Sequence, residues 1–165
     1  MRVPIRKPGK YTNSKPDVHI TQDKFEDLKN NLERLKKSRL RVAEEVKILS
    51  TTGDYSENAG YQMAKGRLRG INQRILDIED QLKNAVIIRR QVSSGSVQLG
   101  NTVVLEANGK SKEYKILGSS ETDPSRGIIS HNSAVGSALI GRRLGEVVKV
   151  EVGSKVISYK IVGIK

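Results

Sequence analysis

Gly53-Asp54-Tyr55-Ser56-Glu57-Asn58-Ala59-Gly60-Tyr61 is the stretch on which the reading of this chain turns, because two long segments of matching apolar period meet there. Upstream, Phe25, Leu28, Leu32, Leu35, Val42, Val46 and Leu49 recur at alternating steps of three and four, with Arg39 filling one seam position. Downstream, Tyr61, Ala64, Leu68, Ile71, Ile75, Ile78, Leu82 and Ala85 repeat the pattern. This is the spacing of a coiled-coil seam. Thr21, just before Asp23 and Lys24, suits a helix cap, and Gly53 suits a helix stop. No proline interrupts either segment, although Gly66 and Gly70 weaken the second. A short link between such helices makes them antiparallel neighbours. The expectation is a helical hairpin over 21–85 with its tip at 50–58. Helices of about 29 residues make an arm of roughly 40–45 Å, at ~1.5 Å per residue. A two-helix arm buries one stripe per helix, so it suits reach better than stability.

The flanks of the hairpin differ from it. Residues 1–17 hold Arg2, Arg6, Lys7, Lys10 and Lys15 against one acid, Asp17, together with Pro4, Pro8, Gly9 and Pro16. They show no hydrophobic period, so 1–20 reads as a basic, loosely attached leader suited to nonspecific nucleic-acid contact. Beyond Ala85, Val86-Ile87-Ile88 and Ser93-Ser94-Gly95-Ser96 mark a boundary, and 86–165 reads as a second domain. There, β-rich runs Thr102–Ala107 and Lys112–Leu117 flank Asn108-Gly109, a strong hairpin signal. Gly127–Ser130, a short helix from Ala134 to Ile140 capped by Ser133 and stopped by Gly141, and strands at Val147–Val152 and Val156–Val162 follow. The fold class is α+β: a coiled-coil hairpin, then a small antiparallel β domain with one short helix.

Composition narrows the classes of function. The 165 residues carry a net charge of +12, which favours a polyanion or an acidic groove around one as partner. There is no cysteine, which excludes disulfides and thiolate chemistry and fits a reducing cytoplasm. His19 and His131 lie far apart in the sequence and read as separate surface residues, not as a metal site. No apolar run nears the ~20 residues of a membrane span, so a soluble, unexported protein is expected; the turn between the two seams favours folding back over an intermolecular coiled coil, so a monomer is expected.

Asp54 and Glu57 admit two readings. Their spacing is that of a capping box with Asp in place of Ser or Thr, and both acids suit a helix N-terminus. Two carboxylates within a turn also suit a hard divalent ion such as magnesium, held weakly until another site completes its shell.

The quoted stretch closely resembles the G-D-x-S-E-N-A-x-Y tip of the bacterial Gre transcript-cleavage factors. Gln62, Lys65, Arg67-Leu68-Arg69, Ile71 and Arg74 resemble the GreB branch more than the GreA branch. Ile129-Ser130, Ser133, Ala138-Leu139, Gly141, Leu144-Gly145-Glu146 and Val148 are similar to the family's C-terminal pattern. The resemblance runs from about Thr21 to the C-terminus. It implies that the C-terminal domain is FK506-binding-protein-like and docks on RNA polymerase through Ile129, Ser130, Asn132, Ser133 and Ala134. It implies that the hairpin enters the polymerase secondary channel, where Asp54 and Glu57 share a magnesium ion with polymerase and promote two-metal hydrolysis of backtracked nascent RNA. It further implies that Lys65, Arg67 and Arg69 meet the extruded RNA, and that the chain is no nuclease alone.

Two positions depart from the family pattern. Ala134 stands where the family has proline after the serine, and Asn132 where the GreB branch often has aspartate. These departures keep open a non-cleaving regulator that occupies the same channel and inhibits. A prolyl isomerase, the other function suggested by the C-terminal fold, would line its pocket with aromatics, and beyond the hairpin the chain offers only Tyr114 and Tyr159. A plain basic coiled-coil protein leaves the acidic tip unexplained.

Overall fold

The computed structural model describes residues 17–51, 59–89, 95–107, 109–152 and 155–165. A two-residue strand β1 (His19–Ile20) leads into α1 (Gln22–Thr51), which pairs with α2 (Ala59–Asn84). Thr21 caps α1: its hydroxyl accepts from the Lys24 N–H at 3.2 Å.

Every apolar seam position is at least partly buried, while Arg39 is exposed, so the basic interruption stays in water. At the base of the hairpin, Ile20, Leu28 and Ile78 form a buried cluster supported by Phe25, Leu32, Leu35, Leu82 and Ala85. Each such aliphatic side chain stabilises by about 1.5–3 kcal/mol. Farther along the arm, Ala64 is fully buried, a small residue at a close helix–helix approach. Lys36–Glu79 at 3.1 Å and Arg67–Glu45 at 2.6 Å cross between the helices and report their antiparallel register. Being exposed, each contributes at most about 1 kcal/mol.

Strand β2 (Val86–Ile87) follows α2 and pairs in parallel with β1, matching His19 to Val86 and Ile20 to Ile87. The two ends of the hairpin are thereby stitched together at its base. This corrects the reading of 1–20 as a loose leader. Residues 17–20 are packed, because Ile20 supplies apolar surface that the base of the arm needs. Residues 1–16 lie outside the described residues.

The remainder forms a five-stranded sheet in the order β5-β4-β3-β7-β6, from β3 (Thr102–Ala107), β4 (Lys110–Leu117), β5 (Ile128–Ser130), β6 (Val147–Val152) and β7 (Lys155–Ile164). The ladders are antiparallel except β4–β5, which is parallel. Between those two strands run the 3₁₀ turns Ser119–Glu121 and Pro124–Arg126, giving the crossover that a parallel pair requires. Helix α3 (Ala134–Leu139) lies against β6 and β5. Val97, Val103, Leu105, Ile116, Leu139, Val148 and Ile161 form the core, and the alternation Val103/Leu105 and Val148/Val150 marks the inward face. Gly141 takes φ +81° just past α3, which glycine adopts without a Cβ penalty.

Candidate functional site

Asp54 and Glu57 lie outside the described residues. Helices α1 and α2 are antiparallel; α1 ends at Thr51, α2 begins at Ala59, and both acids lie between them in the sequence. The base of the hairpin, with β1 and β2, is at the other end of α1. At ~1.5 Å per residue that helix separates the two ends by about 45 Å.

Lys65, Arg67 and Arg69 are all exposed but do not share one face. Lys65 and Arg69 sit one turn apart and line a shallow groove of about 370 Å³ with Leu68, Asn72, Gln73 and Leu76. The Lys65 ammonium also lies 5.7 Å from the Tyr61 ring centroid. Arg67 points to the other flank, where its guanidinium donates to Glu45 at 2.6 Å.

The loop from β5 into α3 carries the other sequence-derived positions, and it divides them by role. Ile129 packs on the core. Ser130 is buried; its hydroxyl meets the Ser119 hydroxyl at 2.8 Å and accepts from the Asn132 N–H at 3.0 Å. The Ser133 hydroxyl donates to the Ser130 carbonyl at 2.6 Å and accepts from the Gly136 N–H at 3.0 Å, capping α3. A Cβ at Gly136 would overlap the Ser130 carbonyl, so only glycine lets α3 lie this close to β5. These residues shape the loop from within. Asn132 and Ala134 are exposed.

A further cluster escaped the sequence reading. His19 and His131 do not stand apart: their rings meet edge-on with centroids 5.4 Å apart, and Asp17 lies between them. Asp17 Oδ1 is 3.0 Å from His19 Nδ1, and Asp17 Oδ2 is 3.4 Å from His131 Nδ1. The Asp17 side chain is only 6% exposed. Burial works to raise its pKa, but the Ser119 and His19 N–H groups, the His19 ring and the Ser119 hydroxyl outweigh that and hold the carboxyl down at about 2. The cluster belongs to the junction between hairpin and β domain, where the Ser119 N–H donates to Asp17 at 2.6 Å. Gly118 crosses so near β1 that a Cβ there would overlap the His19 carbonyl. Partners separated by more than a hundred residues leave no local sequence signal.

The hairpin, its acid-bearing reversal and the β domain are matched by two family models. Residues 18–87 match the N-terminal domain of transcription elongation factors, and residues 92–165 match the C-terminal domain of GreA/GreB transcription elongation factors. Transcription elongation factor GreA of Staphylococcus saprophyticus is 41% identical over 150 residues, covering 88% of this chain and 95% of that protein. The GreA of Thermoanaerobacter pseudethanolicus is 40% identical over 156 residues, covering 92% and 99%. Among solved structures, the GreA factor homolog 1 (Gfh1) of Thermus thermophilus aligns at 28% identity and TM-score 0.42, covering 90% of this chain and 99% of that one. The chain belongs to the GreA/GreB family of transcription elongation factors. The two curated relatives carry the GreA name, so the GreB-like leaning of residues 62–74 gains no support from them.

Proposed function

We propose that the chain is a transcription elongation factor that binds RNA polymerase, passes its hairpin down the secondary channel and stimulates magnesium-dependent cleavage of backtracked nascent RNA. What supports this is the antiparallel pairing of α1 and α2, whose connecting sequence carries most of the Gly53–Tyr61 motif.

The donor set fits the ion. Asp54 and Glu57 offer carboxylate oxygen alone, which suits a hard cation such as magnesium that takes its remaining ligands from elsewhere. When held, the ion supplies Lewis acidity and activates water for phosphodiester hydrolysis. The chain itself contributes placement. Its β domain docks through the loop at Ile129, Ser130, Asn132, Ser133 and Ala134, with Asn132 and Ala134 presenting side chains outward. The arm then carries the acids to the reacting phosphodiester, and Lys65 and Arg69 face the RNA from α2 while Arg67 ties α2 to α1. The polymerase supplies the rest of the site, so the chain has no nuclease activity by itself.

The test is a stalled, backtracked elongation complex with magnesium and either wild type or Asp54→Asn/Glu57→Gln. Wild type shortens the RNA; the variant does not, yet competes with wild type for the polymerase. Equal cleavage by both proteins overturns the tip mechanism. Stable binding of wild type without cleavage overturns it in favour of an inhibitory regulator.

A further inference from the structure

We propose that Asp17, His19 and His131 form a binding site for a divalent transition cation of the zinc class, which fastens the hairpin to the β domain. The geometry is already close to what such an ion needs. One donor atom from each residue can be chosen so that all lie within 4.8 Å of one another. Tetrahedral zinc with bonds of about 2.0–2.1 Å places its ligand atoms roughly 3.3 Å apart. The Asp17 oxygens stand 3.0 and 3.4 Å from the two Nδ1 atoms, so small rotations bring the set onto one ion.

The donor chemistry selects the class of ion. Two imidazoles and one carboxylate favour zinc, cobalt or nickel over magnesium and calcium, which take oxygen. The Ser119 and His19 N–H groups already orient the carboxylate, at 2.6 and 3.1 Å. The Ser119 N–H on Oδ2 is the outer hydrogen bond that commonly fixes a ligating carboxylate. Three protein ligands leave a fourth position for water. All three ligands line a cleft of about 820 Å³ that Asp80, Asn84 and Ser120 also line.

The ligands come from two sides of the junction. Asp17 and His19 precede α1, whereas His131 follows β5 in the β domain. Metal binding therefore adds a cross-link between parts otherwise joined by Asp17–Ser119 and Thr21–Glu121 hydrogen bonds. It fixes the direction in which the arm leaves the domain. The site shares no residue with Asp54 and Glu57, which follow α1 in the sequence.

The chain offers a clean test, because it has two histidines in all and no cysteine. Full-length protein is titrated with Zn²⁺ by calorimetry and with Co²⁺ by visible absorption and imidazole proton NMR. Wild type binds one Zn²⁺, gains visible d–d bands with Co²⁺, and shows both imidazoles shifted together. His19→Gln/His131→Gln weakens Zn²⁺ binding by at least ~100-fold, beyond the 10–100-fold typical of losing an outer-shell partner. Asp54→Asn/Glu57→Gln binds as wild type does. Zn²⁺ also raises the thermal midpoint of wild type, since an ion that binds the folded chain alone stabilises it by mass action. Absence of Zn²⁺ binding to wild type overturns the proposal, as does equal binding by the double-histidine variant. Should that variant not fold, the Co²⁺ spectrum and imidazole signals of wild type decide: a shift of neither or of one histidine overturns it.

Discussion

Thr21 donates its backbone N–H and its hydroxyl to the two carboxylate oxygens of Glu121, at 2.7 and 2.6 Å, across a hundred residues of sequence. The same hydroxyl accepts from the Lys24 N–H and caps α1. One side chain thus starts the long helix and fastens it to the β domain. Anything that disturbs the cap disturbs the junction.

Thr21→Ala removes the cap and the hydroxyl bond to Glu121, leaving the backbone N–H bond in place. Loss of the cap costs about 1 kcal/mol, and loss of a charge-assisted hydrogen bond about 1.5–3 kcal/mol. The expected total is about 2.5–4 kcal/mol, read by urea unfolding at the helical circular-dichroism band, with Thr21→Ser nearly neutral. In a double-mutant cycle with Glu121→Ala, the coupling is about 1–2 kcal/mol. Additive effects would show that the contact stabilises nothing.

The junction also predicts acid sensitivity in metal-free protein. The folded Asp17 carboxyl sits at about 2, below its ordinary 3.8. Between those values the unfolded chain binds more protons, so stability rises with pH. The contribution is fully present above about pH 4 and is lost as pH falls toward 2; a shift near two units is worth about 2 kcal/mol. Asp17→Asn lowers stability at pH 7 and flattens the unfolding midpoint between pH 4 and 2 relative to wild type. A variant curve parallel to that of wild type through that window would remove Asp17 as the cause.

Elements held together by neighbours in sequence were legible before any coordinates. The three–four spacing from Phe25 to Leu49 and from Tyr61 to Ala85 identified the buried stripe of each helix residue by residue. Asn108-Gly109 located the turn between β3 and β4, and Ser133 with Gly141 bracketed α3. What was not legible depends on contacts that sequence distance hides. The parallel β4–β5 ladder needs the crossover through Ser119–Arg126, which has no periodic pattern. Likewise β1 is two residues long, too short to show alternation, yet it carries Ile20 into the base of the arm. The Asp17–His19–His131 cluster stayed hidden because each residue is ordinary in its own segment. The loop between β5 and α3 was singled out by motif, but only its hydrogen bonds separate Ser130 and Ser133, which shape it, from Asn132 and Ala134, which are exposed.

Ala134→Pro, which restores the residue the family pattern carries, tests that separation. Proline needs an extended residue before it, and Ser133 has φ −70° and ψ 161°. Ala134 is the first residue of α3, the position where a helix tolerates a missing N–H and a fixed φ. Its side chain is exposed, so a pyrrolidine ring displaces no core atom. The substitution is therefore expected to stabilise the β domain by about 0.4–1 kcal/mol, by narrowing the unfolded ensemble. It should leave the Ser133 cap intact, visible as an unchanged Gly136 amide resonance. If the loop docks on polymerase through its outward positions, the change also alters competition for the elongation complex, whereas Ser137→Ala, on the exposed face of α3, does not. Destabilisation by Ala134→Pro would mean that the first turn of α3 is not free to accept the ring. An unchanged competition curve from a folded, stabilised variant would move the docking surface away from this loop.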